Sequence, residues 1–150
     1  MKKNISKDLI LKACIAKQEE LVSNFDSRVS EVKADASSQR QSASQSEDRT
    51  AGNVEVLDAL QNELTFVQME MRSLKAINPD HVNNKVEPGA VVVTNKRTFF
   101  IAVSSEKIEI DGQEIFGIST NAPIFSAMMD LKKGDTFEFN NTSYKIQEIY

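Results

Sequence analysis

Two runs of apolar residues repeat with alternating steps of four and three along the first half of the chain. The first run is Leu11, Ile15, Gln18, Val22, Phe25, Val29, Val32 and Ala36, and the second is Leu57, Leu60, Leu64, Val67, Met71 and Leu74. A spacing of about 3.5 residues is typical of a helix whose narrow apolar seam faces one other helix. A short polar segment, residues 34–46, joins the two runs. The pattern therefore predicts an antiparallel coiled-coil hairpin.

The register of this hairpin follows from pairing the two runs. We predict helices over about 6–39 and 45–77, with the tip at about 37–48. If Ile15 faces Met71, the numbers of facing residues sum to about 86, and apolar positions then meet apolar positions. Gln18 is the one polar seam residue, and we expect it to help fix the register.

Composition changes sharply along the chain. No proline precedes Pro79, no glycine precedes Gly52, and eight of the ten aromatic residues follow residue 86. This shift predicts a hairpin domain over 1–78, a linker over 79–87 and a β-rich domain over 88–150.

Charge and cysteine content exclude several classes. The net charge is −4 without a run of Lys or Arg, which argues against independent binding to duplex nucleic acid. Cys14, the single cysteine, rules out an internal disulfide, is typical of a reducing compartment and is expected to be buried. Neither a signal-peptide core nor a membrane span is apparent, so we expect a soluble, cytoplasmic protein without a membrane partner.

The last 60 or so residues have strand and turn patterns. Asp111-Gly112 between alternating segments predicts a type I′ hairpin, and Asn140-Asn141, two residues that tolerate positive φ, predict a final hairpin. Pro123 is expected at the first position of a short helix, with Gly134 just after its end. The predicted class is α+β, an antiparallel coiled-coil hairpin followed by a small antiparallel sheet with one helix.

Two carboxylates near the tip, Glu47 and Asp48, are the candidate site residues. In one interpretation they are structural, because Ser44-Gln45-Ser46-Glu47 forms a capping box and acidic residues complement a helix N-terminus. In the other, they are presented to a partner's cation or metal. Two carboxylates alone hold Mg²⁺ poorly in water, so any metal role requires further ligands from a partner.

Several stretches of the second half resemble the C-terminal domain of the Gre transcript cleavage factors, the GreA/GreB family. They are Val91-Val92-Val93-Thr94-Asn95, Gly117-Ile118-Ser119, Ala122-Pro123-Ile124, Ala127, Lys132-Lys133-Gly134-Asp135 and Tyr144-Lys145-Ile146. This family joins a coiled-coil hairpin to an FKBP-like domain in the order predicted here. In sequence the resemblance covers mainly residues 86–150.

The resemblance implies a transcription elongation regulator that binds bacterial RNA polymerase and inserts its hairpin into the secondary channel. There the tip acids of the family help to hold the second catalytic Mg²⁺ and promote cleavage of backtracked RNA. The family's tip has Asp and Glu three residues apart, whereas Glu47 and Asp48 are adjacent. Both cleavage stimulation and occupation of the channel without cleavage therefore stay open.

On this interpretation the protein is not itself an enzyme and has no catalytic residue, cofactor or small-molecule substrate of its own. Glu47 and Asp48 would bind Mg²⁺ only when it is shared with RNA polymerase, and nucleic acid would be met only within the transcription complex. A prolyl isomerase finds no support, since the domain lacks Trp and its Phe residues fit core positions. A coiled-coil scaffold or chaperone would favour exposed apolar residues at the tip, which the polar segment 34–46 does not offer. His81 lies in the linker without a nucleophile pattern, so hydrolase chemistry is not indicated.

Overall fold

The computed structural model describes the backbone of residues 4–41 and 47–150, and the side chains of residues 4–34, 54–105 and 107–150. The elements are α1 (Lys7–Gln41), α2 (Glu47–Lys75), β1 (Val91–Thr94), β2 (Thr98–Ala102), β3 (Ser105–Ile110), β4 (Gln113–Ser119), α3 (Pro123–Met128), β5 (Thr136–Phe139) and β6 (Thr142–Ile149). They form two compact units. One, which we call the hairpin unit, is Gln18–Met71, and the other, the sheet unit, comprises Met1–Lys17 and Arg72–Tyr150.

In the hairpin unit the predicted seam lies between the two helices. Gln18, Val29, Val67 and Met71 are buried, and the other seam residues of this unit with described side chains are half-buried. The side-chain amide of Gln18 donates a hydrogen bond to the backbone oxygen of Val67 at 2.9 Å. These two positions agree with the predicted register to within one residue, so the pairing read from the sequence is confirmed here.

The sheet unit contains a six-stranded sheet in the order β3-β4-β2-β1-β6-β5. Its neighbours pair antiparallel except β2 and β4, which pair in parallel with Phe100 opposite Gly117. The α+β class is confirmed, but the sheet is mixed rather than wholly antiparallel. The cause is that β4 returns from its hairpin with β3 and lies between β3 and β2, so that it runs in the same direction as β2.

The predicted turns are confirmed at both hairpins. Asp111 and Gly112 have φ values of 51° and 76°, and Asn140 and Asn141 have 51° and 60°. These are the left-handed conformations that a two-residue type I′ connection requires and that Asn, Asp and Gly accommodate.

The short helix begins at Pro123 as expected, but it ends at Met128, well before Gly134. The prediction that Gly134 follows the helix end is wrong. Asp130 takes the left-handed conformation, with φ 64°, and its amide donates to the backbone oxygen of Val86 at 3.0 Å. Pairing with the segment before β1 therefore ends the helix early, and Gly134 (φ 93°) belongs to the turn before β5.

Each face of the sheet carries its own core, because successive residues of a strand point to opposite faces. On one face Val91, Phe100 and Ile115 pack with residues near the ends of the two long helices, namely Ile10, Leu11, Cys14 and Leu74. On the other, Val92, Phe99 and Ile146 pack with Phe125 and Met128 of α3. The burial predicted for Cys14 is confirmed, with 3% of its surface exposed.

Candidate functional site

The predicted site residues Glu47 and Asp48 are the first two residues of α2. Their side chains lie outside the described part of the chain, as does the proposed capping box with Ser44. Their position at the start of the second helix agrees with both interpretations, and their role stays a prediction.

A buried amide fixes the two helices against each other. Gln18 is 2% exposed, and besides the bond to Val67 its Nε2 donates to Oε1 of Glu70 at 3.3 Å. Burial raises the pKa of the Glu70 carboxyl, the bond from Gln18 lowers it, and the nearby Glu63 raises it again. Because a buried amide loses its partners if one helix slides, this contact favours one register over its neighbours.

The hairpin unit is strongly acidic, and the net positive charge of the rest of the chain offsets much of this in the total. Residues 18–71 contain 11 acidic and 4 basic residues, a net charge of −7, whereas the rest of the chain has 11 acidic and 14 basic residues, a net charge of +3. We call the part of this unit with described side chains, 18–34 and 54–71, the shaft. Its acidic residues are Glu19, Glu20, Asp26, Glu31, Glu55, Asp58, Glu63 and Glu70, against Arg28 and Lys33.

Within the shaft these carboxylates are not neutralised by ion pairs. The four ion pairs among the described residues all belong to the sheet unit, and Arg28 lies over the ring of Phe25 instead, 5.8 Å from its centroid. Segment 1–78 as a whole is nearly neutral, with 12 acidic and 11 basic residues, so the acidity is apparent only within 18–71.

Five large apolar side chains of the shaft are exposed, and the two most exposed of them lie close together on α2. Phe66 is 56% exposed and Met69 is 59% exposed, one helical turn apart on α2. Neither belongs to the seam that Leu64 and Val67 mark, so their exposure is not explained by packing between the two helices. Because both lie outside the apolar repeat of α2, the sequence pattern alone does not single them out.

A polar depression of about 630 Å³ lies on the sheet unit. It is lined by the ends of several strands, and the guanidinium of Arg97 stands 4.9 Å from the ring centroid of Phe116. Two carboxylates on its wall are already paired, Glu114 with Lys107 at 3.0 Å and Glu148 with Lys133 at 2.8 Å. Nowhere in the described residues do three or more potential metal ligands cluster.

A second buried polar network ties the start of α1 to the segment before β1. Nζ of Lys7 donates to the backbone oxygen of His81 and to Oδ1 of Asn83, each at 2.7 Å, and Asn83 donates to Glu87 at 2.7 Å. Burial lowers the pKa of Lys7, and the charge of Glu87 opposes that shift. The side chain of His81 is exposed, and the residue takes part in this network through its backbone oxygen.

No family model matches the chain, and no curated protein sequence is significantly similar to it. Among solved structures it is similar to the GreA factor homolog 1 (Gfh1) protein of Thermus thermophilus, with 15% identity over 93% of this chain and 96% of that one, at a TM-score of 0.35. It is also similar to Thermus aquaticus Gfh1, with 15% identity over 93% and 95% of the two chains, at a TM-score of 0.34. Because the identity and the TM-score are both low, these matches do not establish the function of this chain. None of the described helices is both long and apolar enough to cross a membrane.

Proposed function

We propose that the protein is a Gre-like regulator of transcription elongation that binds bacterial RNA polymerase and inserts its hairpin into the secondary channel. The observation that carries the proposal is the order of its parts. A two-helix hairpin of fixed register precedes a sheet unit whose sequence resembles the C-terminal domain of the Gre factors.

Three of the residues that carry the resemblance have defined structural roles in the sheet unit. A Cβ on Gly117 would lie 2.6 Å from the backbone oxygen of Val103 and would also collide with the Ser105 hydroxyl. A carboxylate oxygen of Asp135 accepts a bond from the amide of Lys132 at 2.8 Å, and Pro123 begins α3. The resemblance thus involves residues that shape the fold, which supports kinship of the sheet unit with that domain.

The hairpin suits insertion into a narrow channel. Helix α1 has 35 residues, which at 1.5 Å per residue is a length of about 50 Å. Two helices packed along one seam leave no interior for a reaction site, so the chemistry would belong to the polymerase. Any Mg²⁺ at Glu47 and Asp48 would be shared with the polymerase active site.

A second mode, occupation of the channel without cleavage, is favoured by one observation on the tip. Glu47 and Asp48 are consecutive residues of a helix, whereas the family's tip acids are three residues apart. In this mode the protein would modulate or inhibit the polymerase by filling the channel.

Binding to core RNA polymerase tests the proposal directly. We expect micromolar or tighter affinity and competition with a known secondary-channel ligand. Absence of binding at micromolar concentrations would overturn the proposal.

A backtracked elongation complex with labelled RNA separates the two modes. If the tip acids act on Mg²⁺, Glu47→Ala combined with Asp48→Ala abolishes cleavage while binding persists. Wild-type protein that binds but never stimulates cleavage would identify the non-cleaving mode.

A further inference from the structure

The exposed side chains Phe66 and Met69, with the carboxylates of Glu63 and Glu70 beside them, form what we call the outer face of α2. We propose that this outer face is a docking surface of its own, and that it binds a protein surface where Arg or Lys side chains surround an apolar recess. The inference rests on the proposed function, because RNA polymerase is the protein that carries this complementary surface. It assigns part of the binding to the shaft rather than to the tip.

Charge decides which class of macromolecule the shaft can meet. Its described side chains include eight carboxylates and two cations, and no ion pair within the shaft cancels them. RNA and DNA are polyanions whose binding depends on clustered Lys and Arg, so a phosphate backbone is repelled along this surface. A cationic protein surface is instead attracted, and the attraction also speeds association.

The same charge argues against a second copy of this chain. Two hairpin units that met through their outer faces would each bring a net charge of −7 to the contact. Like charges brought together at an interface are unfavourable by several kcal/mol. The partner is therefore a different protein of opposite charge.

The apolar pair gives the contact its affinity and position. Aromatic and Met side chains are enriched in protein interfaces, where a few buried anchors dominate the binding energy. Phe66 has more than half of its surface available for burial, and Met69 can adapt its flexible side chain to an irregular recess. Arg fits the partner side, since its guanidinium can stack on a ring and bind a neighbouring carboxylate at once.

The first experiment measures affinity for core RNA polymerase as a function of salt. Phe66→Ala combined with Met69→Ala should weaken binding by about tenfold or more, as expected for interface anchors. Glu63→Lys should reduce the association rate and flatten the salt dependence. Glu70 is left intact because its carboxylate binds the register-fixing Gln18.

Matched controls separate the outer face from general effects on the helix. Gln68→Ala, at an exposed position of the same helix, and Glu109→Lys, at an exposed position of the sheet unit, should bind as the wild type does. Thermal unfolding followed by circular dichroism should be unchanged in all four variants, because each alters exposed side chains.

The second experiment identifies what touches the outer face. A photo-reactive phenylalanine analogue replaces Phe66, and the protein is irradiated in a backtracked complex with labelled RNA. We expect a crosslink to a polymerase subunit, on a peptide rich in Lys and Arg, and no crosslink to RNA.

The outcomes separate this inference from the function on which it rests. If wild-type protein does not bind the polymerase, the proposed function fails and this inference fails with it. If wild-type protein binds and the variants of the outer face bind equally well, or the crosslink goes to RNA, the inference alone is overturned.

Discussion

Replacing Gln18 tests whether the buried amide serves register rather than stability. In Gln18→Ala the hairpin loses the bonds to Val67 and Glu70, worth about 1 kcal/mol net, and gains a cavity in the seam that costs about 1–2 kcal/mol more. The variant should therefore be about 2–3 kcal/mol less stable. In Gln18→Leu the same bonds are lost, but burying an apolar side chain at this 2% exposed position contributes about 2 kcal/mol. We expect this variant to be as stable as the wild type or about 1 kcal/mol more stable.

In Gln18→Leu the helix pairing should become less specific even though the variant is not destabilised. Spin labels on Glu19→Cys and Gln68→Cys, both exposed, report one distance across the hairpin when Cys14 is replaced by alanine. A slip of one helix by seven residues moves the labels by about 10 Å along the axis. In Gln18→Leu we expect a broader distance distribution, because a wholly apolar seam no longer penalises the slip.

Two measurements check the reasoning on Gln18. Urea unfolding followed by circular dichroism ranks the variants, and NMR titration of Glu70 should show its pKa rising further once the amide bond that lowers it is removed. A Gln18→Leu variant that is as unstable as Gln18→Ala, with a single unchanged distance, would refute the assignment of register control to this residue.

Three further predictions concern the sheet unit. Burial raises the pKa of the Cys14 thiol from 9.0 to about 11. The stability that this thiol contributes is therefore full below pH 9 and falls by about 3 kcal/mol as the pH rises through 11. Urea unfolding from pH 8 to 11 should show this loss in the wild type and not in Cys14→Ala. Gly117→Ala should lower the free energy of unfolding by about 2–4 kcal/mol, since the new methyl group meets the backbone oxygen of Val103, and wild-type stability in a urea titration would contradict the close approach. Tyr150→Phe removes a 2.5 Å bond from the phenol to the backbone of Ile5 and should cost about 1 kcal/mol, with faster amide exchange near the N-terminus as the readout.

The parts of the fold that local chemistry decides could be predicted from the sequence. The seam spacing gives the pairing of Gln18 with Val67 to within one residue, and Asp111-Gly112 gives its turn, because each depends on a few neighbouring residues. The parallel pairing of β2 with β4 could not be predicted, since hairpin signals do not say where a hairpin inserts in a sheet. The early end of α3 at Met128 depends likewise on a distant segment that pairs with residues 130–132.

The candidate site was only partly accessible from the sequence, for a different reason. Glu47 and Asp48 can be recognised as candidates from the sequence because they are adjacent acidic residues next to a segment rich in Ser and Gln. The acidity of the shaft disappears when charges are averaged over a whole predicted domain, and Phe66 appears as one more apolar residue in a helix rich in them. Phe66 differs from the seam residues in that its side chain is exposed, and this can be known only once the pairing of the two helices is known.

The acidity of the shaft also changes how the tip should be tested. Glu47→Gln with Asp48→Asn removes two negative charges from a unit of net charge −7, so a loss of activity could arise from weaker long-range attraction rather than from lost metal ligands. Glu55→Gln with Asp58→Asn removes the same charge from exposed positions of the shaft that lie outside the outer face, and provides the matched control. Long-range attraction weakens with salt, because the Debye length falls from about 10 Å at 0.1 M to about 3 Å at 1 M, whereas a carboxylate bound directly to Mg²⁺ is screened far less. If the tip acids hold Mg²⁺, the tip variant loses cleavage in a backtracked complex at every salt concentration at which it still binds, and the shaft variant keeps it. Equal losses in both variants that grow smaller with added salt would show that the tip acts by charge alone.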